Sequence, residues 1–167
     1  MMTWIFFAVM AAVVGLDQLT KYLTVQHLKP IGDVPLIEGW LHLTYVENTG
    51  AAFGILKNHR WLFIVISVLA IAAICAYLIL KRKTMHPLLG FALVMIAGGG
   101  IGNQIDRFVQ GYVVDMIYVK IIDFAVFNVA DAFVCIGAAL LFLYILFFDE
   151  SLKREKKEKN GNKAEGQ

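Results

Sequence analysis

The sequence predicts a membrane protein of the all-α class: four transmembrane helices with both termini cytoplasmic, plus a small extracytoplasmic β-sheet segment. Three observations predict it. The 167 residues are 59% hydrophobic and 17% charged, with a mean hydropathy of +0.69, whereas soluble domains are about half apolar and about a quarter charged. Four apolar stretches, at about 4–28, 61–80, 87–109 and 129–148, have the ~20 residues that a helix needs to cross a bilayer. The basic residues are also asymmetric. Lys81, Arg82 and Lys83 follow the second stretch, and Lys153, Arg154, Lys156, Lys157, Lys159 and Lys163 follow the fourth. By the positive-inside rule both groups are cytoplasmic. One membrane domain over 1–150 uses up the length, and the basic segment 151–167 lacks apolar periodicity and is expected to be disordered.

The first stretch is too long for a cleavable signal peptide and lacks a basic start and a small-residue cleavage site. Asp17 and Lys21 stand four apart on one helical face and can pair. Asp17 lies roughly 20 Å beyond Trp4, past the midplane towards the outside. Two readings stand for it: a structural ion pair that ties the first helix into the bundle, or a direct catalytic part. Beyond Pro30 the period changes. Leu41, Leu43 and Tyr45 alternate with polar neighbours, which predicts strand over a segment of about 30–56, broken by Gly32, Pro35 and Gly39. The run Asn48-Thr49-Gly50-Ala51-Ala52-Phe53-Gly54 is either a turn before the second helix or a loop that lets an extended peptide pass close to the backbone.

Pro87 suits the first turn of the third helix. Gly98 and Gly102 have the small-xxx-small spacing that favours close helix packing. The glycines resemble a phosphate loop only superficially, since no strand precedes them. Asn103, Asp106 and Arg107 occupy the outer end, where Arg107 is either an interfacial anchor or the salt-bridge partner of Asp106. Asp115 falls in the short connection that follows, read as a loop. The fourth helix opens at Asn128, a natural N-cap, with Asp131 three residues on to answer the backbone and the helix dipole. Capping alone needs no acid facing the bundle, and it leaves Asp115 unexplained. Cys75 and Cys135 form no disulfide framework, and four scattered histidines lack metal-ligand spacing, so no metal and no cofactor is expected.

A carboxylate at membrane depth costs roughly 3 kcal/mol even on the lenient insertion scale, so such residues are rare and usually functional. Here four acids gather near one face. Two carboxylates brought together in a poorly solvated site share a proton. The ionised one takes a proton from water while the protonated one polarises a carbonyl, which is hydrolysis without a metal or a covalent intermediate. The apolar surroundings suit a lipidic or membrane-inserted substrate.

The set Asp17-Gln18-Leu19-Thr20-Lys21, Asn48 to Gly54, Gly102-Asn103-Gln104-Ile105-Asp106-Arg107, Val113-Val114-Asp115 and Phe127-Asn128-Val129-Ala130-Asp131 resembles bacterial lipoprotein signal peptidase, also called signal peptidase II. The resemblance implies an aspartic endopeptidase of the bacterial cytoplasmic (inner) membrane, multi-pass, with its active site on the extracytoplasmic side. It implies removal of the signal peptide of prolipoproteins just before a diacylglyceryl-modified cysteine. The catalytic dyad carries over to Asp115 and Asp131. The supporting or substrate-binding residues carry over to Asp17, Lys21, Asn48, Gly50, Asn103, Asp106, Arg107 and Asn128. Its partners would be these prolipoproteins and membrane lipids, with no nucleic acid and no obligate protein partner. Met116, Gln104 and Val134 depart from the family's common residues, and none is an acid.

Three rivals fit less well. A proton channel or transporter predicts acids spread through the membrane depth, and inverted repeats are not evident. An anchor protein with structural ion pairs leaves Asp115 and Asp131 without a role. A presenilin-like protease requires a GxGD motif, which Asp106 lacks.

Overall fold

The computed structural model describes residues 2–50 and 60–148. Helix α1 spans Met2–Leu23 and runs on through a wider π turn, Thr24–Leu28, closed by a bond from the Lys29 amide to the Thr24 carbonyl (2.9 Å). Strands β1 (Asp33–Ile37) and β2 (Leu41–Asn48) follow, then α2 (Arg60–Leu80), α3 (Pro87–Val109), β3 (Val113–Val119), a 3₁₀ turn (Lys120–Ile122) and α4 (Val129–Phe148). Among the described residues three helices are long and apolar enough to cross a membrane: Trp4–Leu28, Pro87–Val109 and Val129–Phe148. The apolar part of α2, Ile64–Leu80, is shorter. Ala51 to Gly54 and the basic tail 151–167 lie outside the described residues.

Helix α3 is the central element and packs on each of the other three helices. Its sequence explains how. Gly98 backs onto Val13 of α1, where an added Cβ would sit 2.9 Å from the valine Cγ1. A Cβ on Gly102 would collide with the Asp17 carboxylate, and one on Gly99 with the Ala130 carbonyl of α4. The expected close packing at Gly98 and Gly102 is therefore against α1, with Gly99 serving α4. The half of the bundle away from the sheet is closed by Phe6, Met10, Leu78, Met85, Leu89, Val94 and Ala97. The outward faces remain apolar, with Leu69, Phe142 and Phe147 exposed, as a lipid-facing surface requires. His86 caps α3 by accepting from the Leu88 amide, with Pro87 in the first turn.

The sheet has the order β1-β2-β3, all antiparallel. Strand β3 corrects the expectation of a loop around Asp115. Gly111, at φ 88°, takes the left-handed conformation that ends α3, and its amide reaches back to the Asp106 carbonyl (3.2 Å). The chain turns and pairs Val113 with Asn48 and Asp115 with Val46. Ile117 then bridges to Phe127 through two bonds of 2.8 and 3.0 Å. That clip delivers Asn128, the first residue before α4, to the side of Asp115.

Candidate active site

Ten polar or glycine positions singled out in the sequence converge on the C-terminal ends of α1 and α3, the N-terminal end of α4 and the edge of the sheet. Asp115 is 1% exposed. Its Oδ2 accepts from Asn48 Nδ2 (2.9 Å) and its Oδ1 from Asn128 Nδ2 (2.6 Å). Asn48 can reach because β2 and β3 place it diagonally across from Asp115 on one face. Asp131 Oδ1 accepts from Asn103 Nδ2 (2.7 Å), and Oδ2 from the Asn128 backbone amide (3.2 Å). The Asp131 amide in turn donates to Asn128 Oδ1 (2.9 Å). This reciprocal pair is the capping box expected at the start of α4, with Asp in the usual place of Glu.

The orientation of every side-chain amide here is fixed by a second partner. Asn48 Oδ1 accepts from the Gly50 amide, Asn128 Oδ1 from the Asp131 amide, and Asn103 Oδ1 from both Lys21 Nζ and Asn128 Nδ2. Each amide nitrogen must then face a carboxylate. Asn128 touches both acids, one through its side chain and the other through its backbone.

Beneath lies a buried ionic cluster. Lys21, 3% exposed, reaches Asp17 Oδ2 (2.9 Å), Asp106 Oδ2 (3.0 Å) and Asn103 Oδ1 (2.8 Å), which uses all three ammonium donors. The Asp17–Lys21 pair is as expected. Asp106 is a correction: its ion pair is with Lys21 across the helix interface. Adjacent helical residues point about 100° apart, so Arg107 turns elsewhere, donating to the carbonyls of Asn103 and Gly50 (both 3.4 Å).

Burial pushes the Asp115 carboxyl up to about 6. The Asn48 hydrogen bond opposes this, and the nearby Asp131 charge adds to it. Both carboxylates open onto one cavity of roughly 490 Å³, whose walls include Arg107, Phe124, Phe127 and Cys135. Among the described residues no group of three or more His, Cys, Asp or Glu is arranged to hold a metal. Two contributors were given no site role in the sequence. Cys135 follows Asp131 by one helical turn and so shares its face. Gln18, beside Asp17, donates to Asp17, to the Gly102 carbonyl and to Asp106.

Comparison with known proteins gives the family. The family model for signal peptidase (SPase) II matches residues 9–147. A lipoprotein signal peptidase of Caldanaerobacter subterraneus subsp. tengcongensis is 49% identical over 139 residues, covering 83% of this chain and 94% of its own. One from Clostridioides difficile is 40% identical over 145 residues, covering 87% and 97%. A bacterial membrane enzyme solved by the in meso method at 1.9 Å superposes with a TM-score of 0.75 at 33% identity, covering 86% of this chain and 94% of that one. The chain belongs to the signal peptidase II family of membrane peptidases.

Proposed function

We propose that this chain is an aspartic endopeptidase that cleaves the signal peptide of prolipoproteins just before a diacylglyceryl-modified cysteine, with Asp115 and Asp131 as its dyad. The observation that carries this reading is Asn128, which bonds both carboxylates (2.6 and 3.2 Å) where they line one cavity. Burial and the neighbouring charge hold the Asp115 carboxyl near 6, so the pair favours a single shared proton. In that state the ionised member takes a proton from water, and the protonated member gives one to the scissile carbonyl. The hydrated carbonyl then collapses as a proton passes to the leaving nitrogen, and the C–N bond breaks.

The remaining residues support the pair. Asn48 and Asn128 stabilise the charged form of Asp115, and Asn103 fixes the orientation of Asp131 by donating to its Oδ1. Arg107 and Gly50 form the wall along which an extended peptide would run. The membrane setting follows from α1, α3 and α4, and we take α2 as the fourth span. Both termini are then cytoplasmic and the sheet is extracytoplasmic, in the bacterial inner membrane. The test is cleavage of a diacylglyceryl-modified prolipoprotein by purified protein. Asp115→Asn and Asp131→Asn should each lose roughly a thousandfold or more in kcat while still inserting and folding. Activity within tenfold of wild type in either variant would remove that residue from the dyad.

A further inference from the structure

The backbone N–H immediately before each acid of the proposed dyad is held by a buried carboxylate. The Val114 amide, before Asp115, donates to Asp106 Oδ2 (3.1 Å). The Ala130 amide, before Asp131, donates to Asp17 Oδ1 (2.9 Å). Asp106 is on α3 and Asp17 on α1, so nothing covalent nearby fixes their separation. Two side chains span them. Lys21 pairs with both, at 2.9 and 3.0 Å. Gln18 Nε2 bonds Asp17 Oδ2 (3.2 Å), Asp106 Oδ1 (3.0 Å) and the Gly102 carbonyl between them (3.1 Å).

We propose that Gln18 is a positioning residue that, with Lys21, clamps Asp17 to Asp106 and thereby sets the spacing of the Asp115–Asp131 pair. The inference rests on the dyad reading above. Lys21 alone neutralises one of the two charges, which leaves the carboxylates a net negative pair that repels. The Gln18 amide supplies a second bridge, an uncharged one, between the two carboxylates. Gln18 also lines a cleft of roughly 270 Å³ that shares no lining residue with the dyad cavity, together with Lys21, Asp106 and Tyr22. Without its amide, water from that cleft reaches the cluster and the carboxylates can separate. A shift of that kind travels through Val114 and Ala130 to the catalytic oxygens, with no change in the cavity wall that a substrate touches.

The test uses the full-length protein in detergent and a diacylglyceryl-modified prolipoprotein. Gln18→Met keeps the length and removes the amide. It should lower kcat by about ten- to hundredfold, the scale of an ångström-sized misplacement, with KM within about threefold. It should also displace the alkaline limb of the kcat/KM pH profile, because the coupling between the two acids depends on their separation. Gln18→Asn, which retains the amide but shortens its reach, carries the same test should Gln18→Met not fold. A normal kcat with an unmoved pH profile in the folded variant overturns the clamp, as does a rise in KM at unchanged kcat. Asp115→Asn is assayed alongside: if it stays active the dyad reading has failed, and if it is inactive while the Gln18 variant is normal only the clamp has.

Discussion

Asp115 is where burial, charge and hydrogen bonding oppose one another most directly. Its folded-state value, about 6, lies above the ordinary aspartate value of 3.8. The native state therefore holds this proton more tightly than the unfolded chain. The resulting contribution to stability is fully present below about pH 4 and is lost as pH rises through about 6, amounting to roughly 3 kcal/mol. A scan of Tm against pH should show this decline. Asp115→Asn should remove that part of the slope. The replacement also turns an amide nitrogen towards Asn48 or Asn128, both held as donors, so it adds a constant loss that leaves the slope comparison intact. An unchanged slope between pH 4 and 7 would show that Asp115 titrates as a free carboxylate. Activity carries the same signature from the other side. The alkaline limb of kcat/KM should fall near 6 in the open site, and the limb of kcat higher, because bound substrate excludes water. A profile flat from pH 4 to 9 would leave no room for a shared proton.

Helix α3 organises the site, and it does so by leaving side chains out. A methyl group at Gly102 would meet the Asp17 carboxylate that Lys21 and Gln18 hold, whereas one at Gly100 would meet only Ile71, at 3.3 Å. Gly102→Ala should cost about 1–3 kcal/mol by overpacking and lower activity. Gly100→Ala should be near neutral, the better helix propensity of alanine offsetting a small adjustment of Ile71. Thermal unfolding of the two variants in one detergent checks the contrast, and equal losses would place the constraint in the helix itself. The four helices were legible because apolar length and capping residues are local signals: Pro87 and Asn128 mark two starts to within a residue. Strand β3 was not legible. Val113 to Met116 are buried in succession, so the alternation that betrays a half-buried strand is missing. Its partner β2 also lies far back in the chain: Asn48 and Asp115 are 67 residues apart. The Lys21–Asp106 pair was hidden for a related reason, since only the packing of α1 on α3 brings those residues together. The Asn128–Asp131 box could be read directly, but that it also faces Asp115 depends on the Ile117–Phe127 bridge.

At the scale of the molecule, the polar cluster lies at one end of an otherwise apolar bundle, and the proposed orientation puts that end outside. Lys120 and Lys83 are both exposed, on the sheet side and in the α2–α3 connection respectively. With Cys75 and Cys135 replaced, a cysteine at 120 should react with an impermeant thiol reagent added to intact cells, and one at 83 only after the membrane is opened. The reverse pattern would put the acids on the cytoplasmic face and defeat a role in processing secreted chains. Position also dictates what a substrate must carry. The proposed dyad opens at the junction of α3, α4 and the sheet, where the cavity wall includes Phe124, Phe127 and Val134 beside the two acids. A peptide alone gains little by staying there, because its polar backbone prefers water. On the proposed reading a diacylglyceryl group would hold the adjoining bond at that depth, since each buried methylene contributes about 0.8 kcal/mol. The signal helix of the substrate would lie against the bundle, while the residues at the cut extend along Asn48, Gly50 and Arg107. An unlipidated prolipoprotein should therefore be cleaved more slowly than its diacylglyceryl form, by roughly a hundredfold or more in kcat/KM, the equivalent of burying only a few methylenes. Comparable rates on the two forms, in one detergent and at one concentration, would mean that the lipid is not recognised and that the cavity selects on the peptide alone.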